Sequence, residues 1–249
     1  MENDALQRHY ENLACEGGFE ARCHMELPER SLVGARVVNV GCRRGKGTYK
    51  LSEQVGESGF VIGADWSEEF VEAARAGAPK ALDRSGLSRC NMAFRVGFPE
   101  DLAAAGIEEG WADFVYLNSS LSLFASPARA LRECCRVLVP GGVLLAEVPV
   151  AAPGSVDRAA IVEAARALPN AVQAAPTFEE LLGWLAEAGF SGPTVRSERP
   201  LSPEEGSTPD RPAATVPGDA AAYRLLSLEV ARRADERVHS CTRSPFMSV

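Results

Sequence analysis

The chain has 249 residues, 46% of them apolar, with 26 basic and 34 acidic residues and a net charge of −8. That length suits one large domain, or one domain with an added subdomain, and the apolar share fills a sizeable core. The negative balance argues against nucleic acid bound over a broad face, and no apolar run reaches the length of a membrane span.

The N-terminus is acidic and lacks the apolar core of a signal peptide. The seven cysteines are Cys15, Cys23, Cys42, Cys90, Cys134, Cys135 and Cys241. Their number is odd, and no CxxC pair or zinc spacing appears. No metal site is therefore expected, and a reducing compartment is, either cytoplasm or organelle matrix rather than the secretory route. Cys134 and Cys135 fall inside a helical pattern and read as core residues.

In chain order, residues 4–13 predict a helix with Leu6, Tyr10 and Leu13 on one face. Residues 15–34 are irregular. This arm has two readings, a lid across the turn that follows or a loosely packed extension. Residues 36–40 predict a buried strand that runs into a turn bearing Gly41 and Gly45, and residues 45–55 predict a helix. A strand, a glycine turn and a helix begin the nucleotide pocket of an open α/β domain, where backbone N–H groups face a ligand. Residues 60–64 predict a second strand, closed by Asp65 and Trp66. An acid ending a buried strand either accepts hydrogen bonds from the two hydroxyls of a ribose or caps the next helix.

Ser67 caps that helix, with Glu68 and Glu69 in its first turn and Phe70, Val71 and Ala74 facing inward. Gly77 and Pro79 are expected to end it. Residues 92–96 predict a third strand, with the run Gly97-Phe-Pro-Glu-Asp-Leu102 at its carboxyl end. Residues 112–117 predict a fourth strand, which ends at Asn118. Residues 127–138 predict a helix, residues 139–142 a turn, and residues 143–148 a fifth strand. Strands alternating with helices in this rhythm predict a Rossmann-like, doubly wound, seven-stranded and mostly parallel sheet.

Beyond residue 151 the pattern changes. Residues 156–168 predict an alanine-rich helix. Thr177 and Glu180 form a capping box before a helix whose apolar face holds Phe178, Leu181, Leu182, Leu185 and Ala188. Residues 193–196 predict a strand, residues 201–219 an exposed loop, and residues 222–230 a last antiparallel strand at the sheet edge. The expected organisation is an N-terminal helix and arm (1–34), a core (35–150), a part completing the sheet (151–230) and a tail (231–249).

These residues carry a resemblance. The run Val37-Val-Asn-Val-Gly-Cys42, then Gly63-Ala-Asp-Trp-Ser67, then residues 97–102 and the stretch Arg136-Val-Leu-Val-Pro-Gly-Gly142 resemble the class I S-adenosylmethionine-dependent methyltransferases. Within that group the chain resembles the arsenite methyltransferases. The resemblance implies S-adenosylmethionine as cofactor. It implies that Asn39, Gly41, Arg43 and Gly45 face the methionine part and that Asp65 holds the ribose. Trp66 would stack on adenine, Glu100 and Asp101 would line its edge, and Asn118 would lie beside the reactive methyl group. Trp66 also reads as a core residue, and the two acids at 100 and 101 as the start of a helix.

The departures are as informative. The family's first-strand acid is Asn39 here, which gives up a charge-assisted contact at about 1–2 kcal/mol. The family's middle glycine is Arg43, whose side chain either grips the cofactor carboxylate, binds another anion, or joins Arg44 and Lys46 in a solvated rim. The thiolates that hold trivalent arsenic are missing. Leu117-Asn118-Ser119 replaces the family's Ser-Asn-Cys, and residues 168–176 contain no cysteine. A hydroxyl does not replace a thiolate toward a soft ion, so arsenite is not the expected acceptor.

Two functions fit: methyl transfer to an unidentified small-molecule or protein acceptor, or an inactive methyltransferase-fold subunit acting as a scaffold in a protein assembly. No side chain is singled out as catalytic, because methyl transfer relies on in-line positioning more than on acid–base groups.

Overall fold

The computed structural model describes residues 2–13, 27, 30–152, 158–167, 170–206 and 222–234. Most of the arm, the loop at 207–221 and the tail from 235 lie outside these residues, so the lid reading of the arm is not decided.

One seven-stranded sheet, with spatial order β3-β2-β1-β4-β5-β7-β6, organises the chain. β1 (Arg36–Val40), β2 (Phe60–Asp65), β3 (Met92–Val96), β4 (Ala112–Asn118) and β5 (Leu138–Ala151) are parallel neighbours. β7 (Tyr223–Ala231) pairs antiparallel with both β5 and β6 (Thr194–Leu201). β1 and β2 lie inside the sheet and are buried on both faces, which is why they read as mainly apolar runs.

Helices cover both faces. One core packs Val38, Val40, Val115 and Leu117 of the sheet against α4 (Pro127–Val137) and α6 (Phe178–Ala188), and it also takes in Tyr10 and Leu13 of α1 (Glu2–Leu13). On the other face Val37, Val61 and Phe114 meet Leu51 and Val55 of α2 (Lys46–Val55), and Val71 and Ala74 of α3 (Glu68–Ser85) meet Met92 and Phe94. α5 (Arg158–Ala167) adds Ala165 to the first core. Among the described residues no helix is long and apolar enough to cross a membrane. Cys134 and Cys135 are buried core residues, as their helical setting predicts.

Five local expectations need correction. α3 does not stop at Gly77 and Pro79 but continues to Ser85 and ends at Gly86, whose φ is 70°. The exposed Pro79 ring costs the helix its bond to the Arg75 carbonyl and crowds that carbonyl, yet the next turn still buries Ala81. The turn at 139–142 lies inside β5 as a bulge, where the β4–β5 register jumps from Ala112↔Leu138 to Phe114↔Val143. β7 is not an edge strand. It sits between β5 and β6, because its alternate residues Leu226, Leu228 and Val230 belong to the main core. β6 continues to Leu201, and residues 203–206 form a short 3-10 turn where a loop was expected. Leu182 is exposed, since α6 turns only Leu181 and Leu185 fully inward. The capping box of α6 forms as predicted, with the Glu180 Oε2 accepting from the Thr177 N–H at 2.7 Å.

Candidate functional site

The order of strands reverses between β1 and β4, and the turn after β1 stands at that switch point. Gly41 and Gly45 both take left-handed backbone, at φ 72° and 84°. A Cβ at Gly41 would sit a tight 3.2 Å from the Ser120 Oγ. The turn is stitched to β2 by the Gly41 and Cys42 N–H groups, which both donate to the Ala64 carbonyl at 2.9 and 3.1 Å.

Asp65 is 3% exposed and faces this turn. Its Oδ2 accepts from the Arg43 N–H at 2.8 Å and its Oδ1 from the Ser67 N–H at 3.0 Å. One carboxylate thus reaches the glycine turn and also ties down the chain entering α3. Burial, then the Asp65 charge, push the Cys42 thiol well above its ordinary range, so it stays protonated inside the turn.

Arg43 sits in left-handed backbone at φ 48°, a conformation that costs a non-glycine residue about 1–2 kcal/mol. Its guanidinium lies 5.3 Å from the centre of the Phe70 ring, beside that of Arg44 at 5.1 Å. Arg44 also pairs with Glu69 at 2.9 Å. The two arginines thus bracket the first turn of α3. Asn39 is buried in β1, and its Nδ2 donates to the Thr48 Oγ1 of α2 at 3.0 Å.

At the carboxyl ends of β2 and β3 three rings form a stack. Tyr10 of α1 lies on Trp66 at 5.3 Å with planes 25° apart, and on Phe98 at 5.5 Å with planes 20° apart. Its hydroxyl donates to both carboxylate oxygens of Glu100, at 3.0 and 2.9 Å. Tyr10 and Glu100 are each 1% exposed. Glu100 also accepts from the Ser126 N–H at 3.0 Å at the start of α4. Burial, then the Glu100 charge, raise the Tyr10 hydroxyl well above its ordinary value, so it remains a donor. Asp101 lies apart from the stack. Its Oδ1 caps the next turn by accepting from the Ala104 N–H at 3.0 Å.

Asn118 ends β4 half-buried, and Ser119 follows at φ 53°. The hydroxyls of Ser119 and Ser120 are buried without a hydrogen-bond partner. The adjoining turn, Leu121–Leu123, is tied to the buried segment 170–175, because the Ser122 Oγ donates to the Ala171 carbonyl at 2.8 Å. The two stretches where the resemblance expects thiolates are thus neighbours. The described residues of both offer hydroxyls, amides and aliphatic groups instead. Cys15 and Cys23 lie outside the described residues.

Comparison with known proteins follows this geometry. A family model described as a methyltransferase domain matches residues 32–189. The chain belongs to this methyltransferase-domain family. It is 36% identical over 122 residues to an arsenite methyltransferase of Mus musculus, covering 49% of this chain and 32% of that one. It is 34% identical over 111 residues to a demethylmenaquinone methyltransferase of Lactococcus lactis, covering 45% of this chain and 40% of that one. The chain spans about a third of the length of the arsenite methyltransferases it matches. Among solved structures it resembles an arsenic(III) S-adenosylmethionine methyltransferase of Chlamydomonas reinhardtii, with a TM-score of 0.73 and 24% identity over 90% of this chain and 72% of that one. That likeness bears on the fold. S-adenosylmethionine is the cofactor of this methyltransferase family.

Sequence reasoning overlooked Tyr10 and Phe98 as members of the site. The sequence pattern places Tyr10 with Leu6 and Leu13 on one apolar helix face. The signal was its hydroxyl, since a buried tyrosine needs a partner for its O–H. The orphaned hydroxyl of Ser120 had no signal in the sequence.

Proposed function

We propose that this protein transfers a methyl group from S-adenosylmethionine to an acceptor held through oxygen or nitrogen, and that arsenite is not its acceptor. The observation that carries this reading is the pair of buried, unpartnered hydroxyls on Ser119 and Ser120 after β4, that of Ser120 lying beside Gly41 of the turn. Trivalent arsenic needs thiolates. Buried hydroxyls carry a desolvation cost that a polar acceptor or cofactor atom offsets by hydrogen bonding.

The chain's own residues fit the cofactor in chemistry. The Asn39 amide, whose Nδ2 is held by Thr48, turns an acceptor oxygen to the ammonium group of the methionine end, while the N–H groups of Gly41, Cys42, Arg43 and Gly45 hold the turn itself in shape. A carboxylate accepts more than two hydrogen bonds, so Asp65 can anchor the turn and also grip a ribose. Trp66 offers a ring face and Glu100 an acceptor for adenine. Arg43 rests its guanidinium over the Phe70 ring. Asn118 stands at the β4 end, where an acceptor would be aligned. When bound, the sulfonium supplies a methyl group to a nucleophile approaching in line. The protein's share of the rate is alignment and exclusion of water.

The test is release of S-adenosylhomocysteine from the purified protein with panels of alcohols, carboxylic acids, amines and arsenite. Release with an oxygen or nitrogen acceptor and none with arsenite is expected. Formation of methylated arsenic would sink the reading.

A second reading, a scaffold subunit of methyltransferase fold that holds no cofactor, is favoured by one observation. Tyr10 already occupies the ring-stacking position on Trp66. The two readings part on whether S-adenosylhomocysteine binds at all.

A further inference from the structure

We infer that Tyr10 is a removable occupant of the adenine position, so that α1 keeps the cofactor cleft closed until it withdraws. The inference rests on the cofactor reading above and adds a gate to it. Three observations carry it.

The first is shape. Trp66 and Phe98 stand at the carboxyl ends of adjacent strands β2 and β3, and one flat ring stacks on both. While the phenol lies there, the position between the Trp66 and Phe98 rings is taken.

The second is chemistry. Glu100 receives the Tyr10 O–H on both oxygens at 3.0 and 2.9 Å. The exocyclic amine of adenine is a donor of the same kind at the rim of a flat ring. The phenol therefore meets the same two demands as the base, a stacking face and a donor for a buried carboxylate. The Ser126 N–H, on Glu100 Oε1 at 3.0 Å, keeps that carboxylate oriented when Tyr10 leaves. A carboxylate 1% exposed that has lost a donor is costly, which favours arrival of another.

The third is attachment. α1 belongs to no strand ladder. It is held by the inward side chains of Leu6, Tyr10 and Leu13, by a bond from the His9 ring to the Leu123 carbonyl at 2.9 Å, and by packing beside α5. A helix of 12 residues is marginal by itself, and undocking it breaks no sheet hydrogen bond. A cleft that is competent only when α1 is out binds with affinity reduced by the fraction open.

The experiment is calorimetric titration of S-adenosylhomocysteine into the full chain and into Tyr10→Ala, Tyr10→Phe and Leu6→Ser, each checked for native circular dichroism. Tyr10→Ala is expected to bind at least tenfold more tightly than the natural sequence. Tyr10→Phe, which keeps the ring and loses the donor, should gain less. Leu6→Ser loosens α1 without touching the stack and should also gain, so the inference stays testable if Tyr10→Ala does not fold. Hydrogen exchange gives a second readout, because saturating S-adenosylhomocysteine should speed exchange of the α1 amides. Binding by the natural sequence that the variants equal or weaken would make Tyr10 a wall of the pocket and overturn the gate alone. Silence from all four proteins would overturn the gate and the cofactor reading together. Slower α1 exchange with ligand bound would also overturn the gate.

Discussion

Asp65 does two jobs with one carboxylate, and the consequence is measurable. It holds the Arg43 amide at 2.8 Å and the Ser67 amide at 3.0 Å while facing the turn at 41–45. Asp65→Ala should reduce S-adenosylhomocysteine affinity at least a hundredfold, measured in a background that relieves Tyr10. The same change leaves the Arg43 N–H without its acceptor, so urea unfolding should show a loss of about 1–3 kcal/mol. Unchanged ligand affinity would remove Asp65 from the site. That an acid closes β2 is legible from the apolar run before it. That this acid also fastens the glycine turn is not, because the bond depends on Arg43 returning across the switch point in left-handed backbone. Arg43 shows the same limit. Its type and position are plain in the sequence, but its resting place over Phe70 is set by α3 packing beside α2.

At the scale of elements, α3 breaks a local rule twice, with opposite energetic signs. Pro79 is exposed in the helix interior and removes a bond to the Arg75 carbonyl. Pro79→Ala should therefore stabilise the protein by about 1–3 kcal/mol. Gly77 lies in the same helix, where alanine ordinarily improves stability by about 1 kcal/mol. Here an added Cβ would meet the Tyr49 Oη at 2.5 Å and dislodge its bond to the Ala74 carbonyl at 2.6 Å. Gly77→Ala should therefore destabilise by about 1 kcal/mol or more. Urea denaturation of both variants checks the pair, and stabilisation by Gly77→Ala would show that Tyr49 is not a real constraint. Read locally, both residues are helix stops. They are tolerated because one is a solvent-facing proline and the other makes room for a tyrosine from the neighbouring helix.

For the whole molecule, β7 is the element on which the sheet closes. It lies between β5 and β6, and it sends Leu226, Leu228 and Val230 into the main core at 2% exposure or less. Just beyond it the Arg232 guanidinium donates to the carbonyls of Cys135 and Arg136 at 3.2 Å, closing the end of α4. Deleting residues 222–249 should abolish cooperative folding. Three buried aliphatic side chains alone are worth about 5–9 kcal/mol, comparable with the stability of a typical domain. Near-ultraviolet circular dichroism and a thermal melt check this, and a cooperative melt from the truncated chain would refute it.

Some of this protein was determined by sequence alone. Buried parallel strands are short, mainly apolar runs, and β1 to β4 could be located to within a residue, β1, β2 and β4 because they lie inside the sheet and β3 because one face alternates into the core. The capping box at Thr177 was legible because its chemistry is satisfied within a few neighbouring residues, and the glycine turn and Asp65 because each directly ends an apolar strand run. Tertiary structure decided the rest. The place of β7 depends on which edge its apolar face can cover. The continuation of α3 past Pro79 depends on what the following turn buries. The occupation of the Trp66 face by Tyr10 depends on residues 56 positions apart meeting at one end of the sheet. Local pattern records which side chains must leave water, but not which partners they find there, because the partner is chosen by the packing of the whole chain.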